Sequence, residues 1–261
     1  MYDLASIEAA LAGTIYAGRL HYAAVTGSTN TDALAAARSG APHGSVWFAN
    51  EQTAGRGRGD HQWVSNAGLG LYVSVLLRPE LAAVHLPLLP LVAGLAAAEA
   101  IGIASNLAAD LRWPNDLLIG PNKTGGILVE SKTEGNRAAF AVVGIGINVH
   151  QSGFAADLAT PATSLDLAAG RTISRQALLI ALLKSLEREA FLLAQLAALA
   201  GIPARVEAAS TWMRGRSVDV HGPQACTGVT DGLDANGFLR VRTAQGLTVV
   251  QTGGMRAKET D

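Results

Sequence analysis

The chain has 261 residues, of which 49% are apolar and 16% charged, a composition typical of a folded globular protein. A formal net charge of −1 excludes a basic surface that would draw the whole molecule to nucleic acid or to an anionic membrane. The single cysteine, Cys226, excludes an internal disulfide and favours a reducing, cytoplasmic location. Because Cys226 falls in an apparent strand, we interpret it as a small, partly buried filler and not as a catalytic thiol.

The N-terminal residues 1–8 lack a basic segment followed by an apolar one, so no signal peptide is predicted. The most apolar run, residues 86–103, contains Pro87, Pro90 and Glu99. Prolines at its start and a glutamate inside it favour a buried helix over a membrane span. We therefore expect no membrane association.

The first part of the chain predicts a mixture of strands and helices. Asn30 or Thr31 is a candidate cap for an alanine-rich helix, because both side chains can accept the free N–H groups of a first turn. The apolar patterns and turn residues predict helices at 6–12, 32–39 and 91–103, and strands at 21–25, 45–50, 69–77, 108–113, 117–119, 127–130 and 140–149.

The second part predicts two further helices and then a change of character. Residues 154–163 are predicted as loop, and helices are predicted at 165–169 and at 175–200, the latter capped by Ser174. Short strands follow at 216–220, 225–229, 238–242 and 248–250, separated by turn residues. Four or five such strands indicate a small barrel-like β domain, so we predict two domains, residues 1–212 and 213–261.

A glycine-rich loop, EQTAGRGRGDHQW at residues 51–63, lies between two predicted core strands. Its glycines allow close approach of the backbone to a ligand. Arg56 and Arg58 present planar guanidinium groups that match carboxylates and phosphates. A Gly-Arg repeat in a polar tail would favour a flexible RNA-binding segment. The hydrophobic flanks here favour an anion clamp instead.

Four other places offer polar groups to a ligand, and each also has a purely structural explanation. Ser28, Thr29 and Asn30 would either cap a helix or bind a polar ligand head. In the WPND sequence at 113–116, Pro114 would either fix a turn or aim Asn115 and Asp116 into a cleft.

Lys123 is one of four lysines and precedes Gly125 and Gly126. A lysine on a turn is usually a solvated charge, but adjacent glycines would let a ligand come close. Asn148 ends a strand and would satisfy a turn or contact a ligand. Two arginines and a lysine together would neutralise a carboxylate and a phosphate. The sequence shows no Ser/His/Asp arrangement at recognisable spacing and no Cys/His metal cluster, so the chemistry indicated is activation of a carboxylate by a nucleotide.

Five motifs together resemble those of biotin protein ligases, in the same order and at similar spacings. They are GSTN at 27–30, QTAGRGR at 52–58, RWPND at 112–116, KTGGILVE at 123–130 and GIGINV at 144–149. The resemblance extends over nearly the whole chain, including the small C-terminal β domain.

The resemblance implies an α+β fold with a catalytic domain at 1–212, related to class II aminoacyl-tRNA synthetases and built on a mixed sheet. It also implies an SH3-like barrel at 213–261. The implied activity has two half-reactions. Biotin and MgATP give biotinyl-5′-AMP and pyrophosphate, and the biotinyl group then passes to a lysine of a biotin carboxyl carrier domain.

The resemblance also implies roles for individual residues. Lys123 would contact the biotin carboxylate and the α-phosphate, and Asp116 would orient the incoming lysine or a magnesium ion. Arg56, Lys123 and Asp116 are the implied catalytic residues. The implied biotin-binding residues are Ser28, Thr29, Asn30, Gln52, Arg56, Gly57, Arg58, Lys123 and Gly126. The implied nucleotide-binding residues are Arg58, Trp63, Asn115 and Asn148, and no protein-bound metal site is predicted.

The chain departs from the family pattern in several places. Gly59, Asp60 and His61 follow Arg58 where many members have further basic residues, which predicts a change in loop closure or in retention of the intermediate. Arg112 stands where many members carry lysine. The segment 154–165 matches weakly, so no adenine-stacking residue is assigned there. Too few residues precede Ser28 for the helix-turn-helix of some members, so no DNA-binding role is expected.

Two alternatives remain open from the sequence. A lipoate or octanoate ligase would use the same chemistry, although the Gly-Arg-Gly-Arg loop favours biotin. A non-catalytic biotin sensor or interaction module would not need Arg56, Arg58, Lys123 and Asp116 together. The expected partner is a biotin carboxyl carrier protein of a biotin-dependent carboxylase, and the family resemblance also suggests a homodimer.

Overall fold

The computed structural model of the chain describes residues 2–59 and 61–258. Its α-helices are α1 Leu4–Ala10, α2 Thr29–Arg38, α3 Leu89–Ser105, α4 Leu165–Ala169, α5 Arg175–Leu193, α6 Leu196–Leu199 and α7 Ile202–Ala208. Its strands are β1 Leu20–Thr26, β2 Val46–Gln52, β3 Gly70–Leu77, β4 Asp110–Arg112, β5 Asp116–Ile119, β6 Asn122–Glu134, β7 Arg137–Asn148, β8 Arg214–His221, β9 Cys226–Leu233, β10 Leu239–Thr243, β11 Gly246–Val250 and β12 Gly254–Ala257.

The strands form two sheets. The larger has seven strands in the order β1-β2-β3-β7-β6-β5-β4, and the smaller has five in the order β11-β10-β9-β8-β12. In the larger sheet β1 and β2 run parallel, whereas the other neighbouring pairs are antiparallel. The pairs of the smaller sheet are all antiparallel. The prediction of an α+β fold with a mixed sheet and a second β unit is therefore confirmed.

Helices cover the two faces of the large sheet unequally. Residues 73, 75 and 77 of β3 are buried in the main core with α3 and α5, whereas Leu76 joins a smaller cluster with Ala33 and Ala37 of α2. Successive side chains of a strand point to opposite faces, so α3 and α5 lie on one face and α2 on the other. Because α2 is short, it leaves the rest of its face open.

The prediction of a buried apolar helix is confirmed, with a start at Leu89 instead of Leu91. Together with a preceding 3₁₀ segment, this helix is the one stretch of the described residues long and apolar enough to cross a membrane, Ala83–Ser105 with a mean hydropathy of 1.9. It packs against α5 and against β6 and β7, as a core helix does.

Two predicted helix boundaries are wrong. Helix α2 begins at Thr29 behind an extended Ser28, so neither Asn30 nor Thr31 is its cap. Helix α5 keeps its Ser174 cap but ends at Leu193, because Gln195 is extended with φ −96° and ψ 112°. Tertiary packing sets both boundaries, and the local sequence carries little sign of either.

Two elements were not predicted from the sequence, and a third was predicted too short. Helix α7 and strand β12 were not predicted, since each is short and lacks a distinctive period. Strand β6 begins at Asn122, so Lys123 is a strand residue and not part of a leading turn. That placement fixes the direction of the lysine side chain relative to the sheet.

Leu182→Ala should lower the free energy of unfolding by about 2–5 kcal/mol, because Leu182 is fully buried on α5 and its truncation leaves a cavity. Phe191→Ala on the same helix removes a side chain that is 65% exposed and should change stability by less than about 0.5 kcal/mol. Urea unfolding of both variants measures the difference. Equal losses would show that α5 does not pack as described.

Candidate active site

A cavity of about 560 Å³ lies on the α2 face of the large sheet and extends to the edge of the small sheet. Every residue for which the sequence implied a role lines it. These are Ser28, Thr29, Asn30, Gln52, Arg56, Gly57, Arg58, Trp63, Asn115, Asp116, Lys123, Gly126 and Asn148. Residues from seven separate segments of the chain thus meet in one place.

Strand β7 forms the floor of this cavity. Gly144, Gly146 and Asn148 alternate along the strand and therefore share one face. A Cβ at Gly144 would collide with the side chain of Asn30, and a Cβ at Gly146 would lie 2.5 Å from Trp63 Nε1. Four residues of extended chain span about 13 Å, so the floor is long enough to carry two different groups end to end.

One end of the floor is a closed polar network. Both the backbone N–H and the hydroxyl of Thr29 donate to Gln52 Oε1, at 2.8 and 3.0 Å. Ser74 Oγ lies 2.8 Å from Thr29 Oγ1 and 2.5 Å from Asn30 Oδ1. Asn30 Nδ2 donates to Glu130 at 2.9 Å. The Ser28 side chain makes no capping hydrogen bond to helix α2. Thr29 and Asn30, in the first turn of that helix, are held instead by their hydrogen bonds to Gln52, Ser74 and Glu130.

The glycine-rich loop is a folded hairpin and not a flexible tail. The Gly57 N–H donates to the His61 carbonyl at 2.7 Å, and the Trp63 N–H donates to the Gly55 carbonyl at 2.9 Å. Asp60 lies outside the described residues, so the predicted effect of the Gly59-Asp60-His61 departure stays a prediction. These backbone bonds hold both arginines on one short hairpin.

The two loop arginines are anchored to different strands. Arg56 pairs with Glu130 of β6 at 2.5 Å. Arg58 donates to the carbonyl of Gly253, next to β12 of the small sheet. Burial lowers the pKa of Arg58, and the nearby charge of Asp116 acts in the opposite sense. The loop is therefore tied down at both arginines, on either side of the cavity.

A cluster of charges lies at the middle of the cavity. Lys123 Nζ is 2.6 Å from Asp116 Oδ1, and Arg112 Nη2 is 2.6 Å from Asp116 Oδ2. Burial is the largest single influence on Asp116 and would raise its pKa, but Lys123 and Arg112 together outweigh it and hold that pKa below its usual value. Asp116 is thus an ionised carboxylate that orients two cations toward the cavity.

Trp63 lies flat against the glycines of the floor. A Cβ at Gly126 would be 3.4 Å from the indole ring, and Gly126 pairs directly with Gly146 across the β6–β7 ladder. Lys123 Nζ is 5.7 Å from the ring centroid, within the range of a cation–π contact. Glycine is needed at Gly146, where a Cβ would displace the indole, whereas a Cβ at Gly126 would only touch it.

Asn115 and Asn148 are both held by backbone carbonyls. Asn115 Nδ2 donates to the Ile127 carbonyl at 2.8 Å, and Asn148 Nδ2 donates to the Thr163 carbonyl at 3.2 Å. Each amide nitrogen is therefore occupied within the protein. Asn148 Oδ1 accepts from Gln151 Nε2 at 3.2 Å and keeps a second lone pair for a ligand.

The sequence reasoning missed several residues of this site. Ser74 gave only a faint signal, as a lone serine in an apolar strand. Arg112 and Glu130 belong to the quoted motifs, but the sequence gave neither a role in the site. His221 and Arg256 of the small sheet also line the cavity, which no motif indicated. Burial, then Arg256 and Arg58, lowers the pKa of His221.

Within residues 2–59 and 61–258, no group of three or more His, Cys, Asp or Glu residues is arranged to hold a metal ion. Asp116 has both carboxylate oxygens engaged by cations. The cations around Asp116 therefore present positive charge to an anionic ligand.

The chain is similar to known proteins over most of its length. Residues 22–148 match the model of the Biotin/lipoate A/B protein ligase family. The chain is 34% identical over 237 residues to the biotin--[acetyl-CoA-carboxylase] ligase of Paracoccus denitrificans, covering 86% of this chain and 95% of that protein. The chain belongs to the biotin protein ligase family.

Other members of the biotin protein ligase family agree with this assignment over part or all of the chain. The bifunctional ligase/repressor BirA of Bacillus subtilis is 42% identical over 158 residues, which is 60% of this chain. The chain spans about half the length of that curated relative, 49%. A biotin protein ligase structure from Aquifex aeolicus, in complex with biotin and ATP, has a TM-score of 0.80 and 28% identity over 93% of this chain and 100% of that one.

Asp116→Asn should lower the free energy of unfolding by about 3 kcal/mol at pH 7, because it leaves the buried Arg112 and the partly buried Lys123 without their carboxylate. The folded-state pKa of Asp116 is depressed, so its stabilisation is fully present above the ordinary value of 3.8 and is lost as pH falls through the folded value. The gap between wild type and variant should therefore shrink below about pH 3.8.

Urea unfolding between pH 7 and pH 3 measures this gap. The control is Asp157→Asn, which changes an exposed loop carboxylate and should follow wild type at every pH. A gap for Asp116→Asn that stays constant down to pH 3 would contradict the ion cluster.

Proposed function

We propose that the chain is an ATP-dependent ligase that activates biotin as biotinyl-5′-AMP and transfers it to a lysine of a biotin carboxyl carrier domain. The observation that carries this proposal is the charge cluster at the middle of a two-ended cavity. Lys123 and Arg112, oriented by Asp116, lie between a closed polar network and an open end on the same strand floor. Such a cavity suits the joining of a carboxylate to a phosphate.

Biotin binds at the closed end in this proposal. A cyclic urea presents two N–H donors and one carbonyl acceptor, and the network formed by Thr29, Asn30, Gln52 and Ser74, with Ser28 beside it, contains both kinds of partner. Thr29 and Asn30 are already bonded to Gln52 and Ser74, so this part of the pocket is ordered before the ligand arrives. Pre-ordered groups lose little entropy when they bind a ligand.

The nucleotide binds toward Asn148, with Trp63, Asn115 and Arg58 around it. Magnesium enters as part of the MgATP substrate and is held mainly by the phosphates. Asp116 is the one cavity residue suited to contact the ion or the acceptor ammonium, once a ligand has drawn Lys123 away from it. Mg²⁺ usually binds through one or two carboxylates together with substrate phosphates, as it would with Asp116 and the phosphates of ATP.

In the first half-reaction a biotin carboxylate oxygen attacks the α-phosphorus, and pyrophosphate leaves. Two anions must approach within a few ångströms, and each such repulsion is worth about 4 kcal/mol at about 4 Å and an effective dielectric of about 20. Lys123 Nζ offsets that repulsion, and so does Arg56 once it leaves Glu130. Both charges act most strongly on the additional negative charge of the transition state.

In the second half-reaction the neutral amine of the acceptor lysine attacks the acyl carbon, and AMP leaves with the carboxylate oxygen that biotin supplied. The mixed anhydride is hydrolysed by water, so a loop that covers it is an advantage. The 51–63 hairpin suits this role, because its arginines are attached to β6 on one side and beside β12 on the other.

The finer fold and the cellular setting belong to this proposal. The catalytic unit, residues 1–212, is class II aminoacyl-tRNA synthetase-like, and residues 213–261 form an SH3-like barrel, which the five-stranded antiparallel order of the small sheet supports. The partner is a carrier domain of a biotin-dependent carboxylase in the cytoplasm. Homodimer formation and the lack of a DNA-binding role remain predictions from the sequence.

The test is exchange of labelled pyrophosphate into ATP with biotin, lipoate, octanoate or no added acid. Exchange with biotin alone is expected, followed by transfer of labelled biotin to a purified carrier domain. Exchange with lipoate or octanoate in place of biotin would assign the chain to the neighbouring ligases. No exchange with any acid, from folded protein with magnesium, would overturn the ligase function.

Lys123→Met should slow biotin-dependent exchange by at least about 100-fold, because loss of one preorganised charge at a reacting centre costs about that much. Lys132→Met is the matched control, since Lys132 lies on the same strand and its side chain is 57% exposed and paired only with Glu134. The control should exchange at the wild-type rate. Near-normal exchange by Lys123→Met would remove Lys123 from the reacting centre.

A further inference from the structure

The open end of the cavity contains an acceptor atom that the protein leaves unused. Gln151 lies three residues beyond the end of β7 and lines the cavity. Its Oε1 atom is buried, and it has no hydrogen-bond partner in the part of the chain that the structure describes. A buried acceptor without a partner is costly, so such an atom is usually satisfied by ordered water or by a bound ligand.

The orientation of the Gln151 amide follows from its neighbours. The Thr163 carbonyl can only accept, so the Asn148 amide nitrogen faces it, at 3.2 Å. Asn148 Oδ1 must then face Gln151, which offers its own amide nitrogen at 3.2 Å. Gln151 Oε1 is the one group left over. This chain of hydrogen bonds is anchored to the large sheet, because the Thr163 N–H donates to the Lys123 carbonyl of β6 at 2.9 Å.

Gln151 is also held in place through its backbone. Ser164 Oγ donates to the Gln151 carbonyl at 2.7 Å, and Ser164 itself caps helix α4. The loop that follows lines the cavity with the apolar residues Phe154, Ala155, Leu158 and Ala159. An acceptor beside apolar walls is suited to a flat heterocycle that carries an N–H donor on its edge.

We propose that Gln151 Oε1 accepts a hydrogen bond from the 6-amino group of the nucleotide base and so selects adenine over guanine. This inference rests on the proposed function, because it assigns the open end of the cavity to the nucleotide. Guanine carries a carbonyl oxygen at the same position, which would place two acceptors against each other in a buried site. A site built to satisfy a substrate N–H discriminates strongly against analogues that lack it.

The test measures nucleotide binding by equilibrium dialysis, with ATP, GTP and purine riboside triphosphate, which lacks the 6-amino group. Wild type should bind ATP at least about tenfold more tightly than either analogue. Gln151→Leu should bind ATP and purine riboside triphosphate with nearly equal affinity. Gln245→Leu, in the exposed turn between β10 and β11, is the control and should keep the wild-type preference.

Equal binding of ATP and purine riboside triphosphate by wild type would overturn the proposal, and this arm needs no variant that must fold. An undiminished preference in Gln151→Leu would overturn it as well. Biotin-dependent pyrophosphate exchange, run on the same samples, reports separately on the ligase function. A protein that distinguishes the nucleotides through Gln151 but does not exchange pyrophosphate would retain this inference and lose the proposed function.

Discussion

The site depends on a single ionised carboxylate among cations. Asp116 holds Lys123 and Arg112 at 2.6 Å on its two oxygens, and its charge also opposes the effect of burial on Arg58. Without it, like charges would repel one another in a partly buried site, where charges are screened less than in bulk water. With Asp116 in place, Lys123 and Arg112 are held where the two anionic substrates meet. A bound substrate then needs to replace only one partner of each cation.

The site must also be long enough for two substrates to bind end to end, and the fold provides that length. Gly144, Gly146 and Asn148 place a polar network, an indole ring and a pair of acceptors in sequence along one strand face. Helix α2 is short, so it covers only part of this face of the sheet and leaves the rest open. The hairpin at 51–63 closes over the middle because Arg56 is anchored on β6 and Arg58 beside β12. A ligand with two dissimilar ends and a charged centre matches this arrangement.

Apolar runs and turn residues predicted most strands directly, and the family resemblance implied the mixed α+β architecture. The sequence motifs also pointed to residues that the structure brings into one cavity, since glycines and paired cations between core strands have few structural reasons to occur. The sequence could not predict contacts made across the fold. The place of Ser74 in the site became visible only with the contact between β3 and α2, and the pairing of Arg112 with Asp116 only with the contact between β4 and β5. The start of α2 was misplaced for the same reason: Thr29 and Asn30 bond to Gln52 and Ser74 instead of capping the helix.

In the proposed reaction, one cavity joins a carboxylate oxygen of biotin to the α-phosphorus of ATP. Biotin labelled with ¹⁸O in its carboxylate tests this step, when the full reaction is run with a carrier domain and the products are examined by mass spectrometry. One ¹⁸O atom is expected in AMP and none in pyrophosphate. Label in inorganic phosphate or pyrophosphate, or unlabelled AMP beside biotinylated carrier, would contradict it.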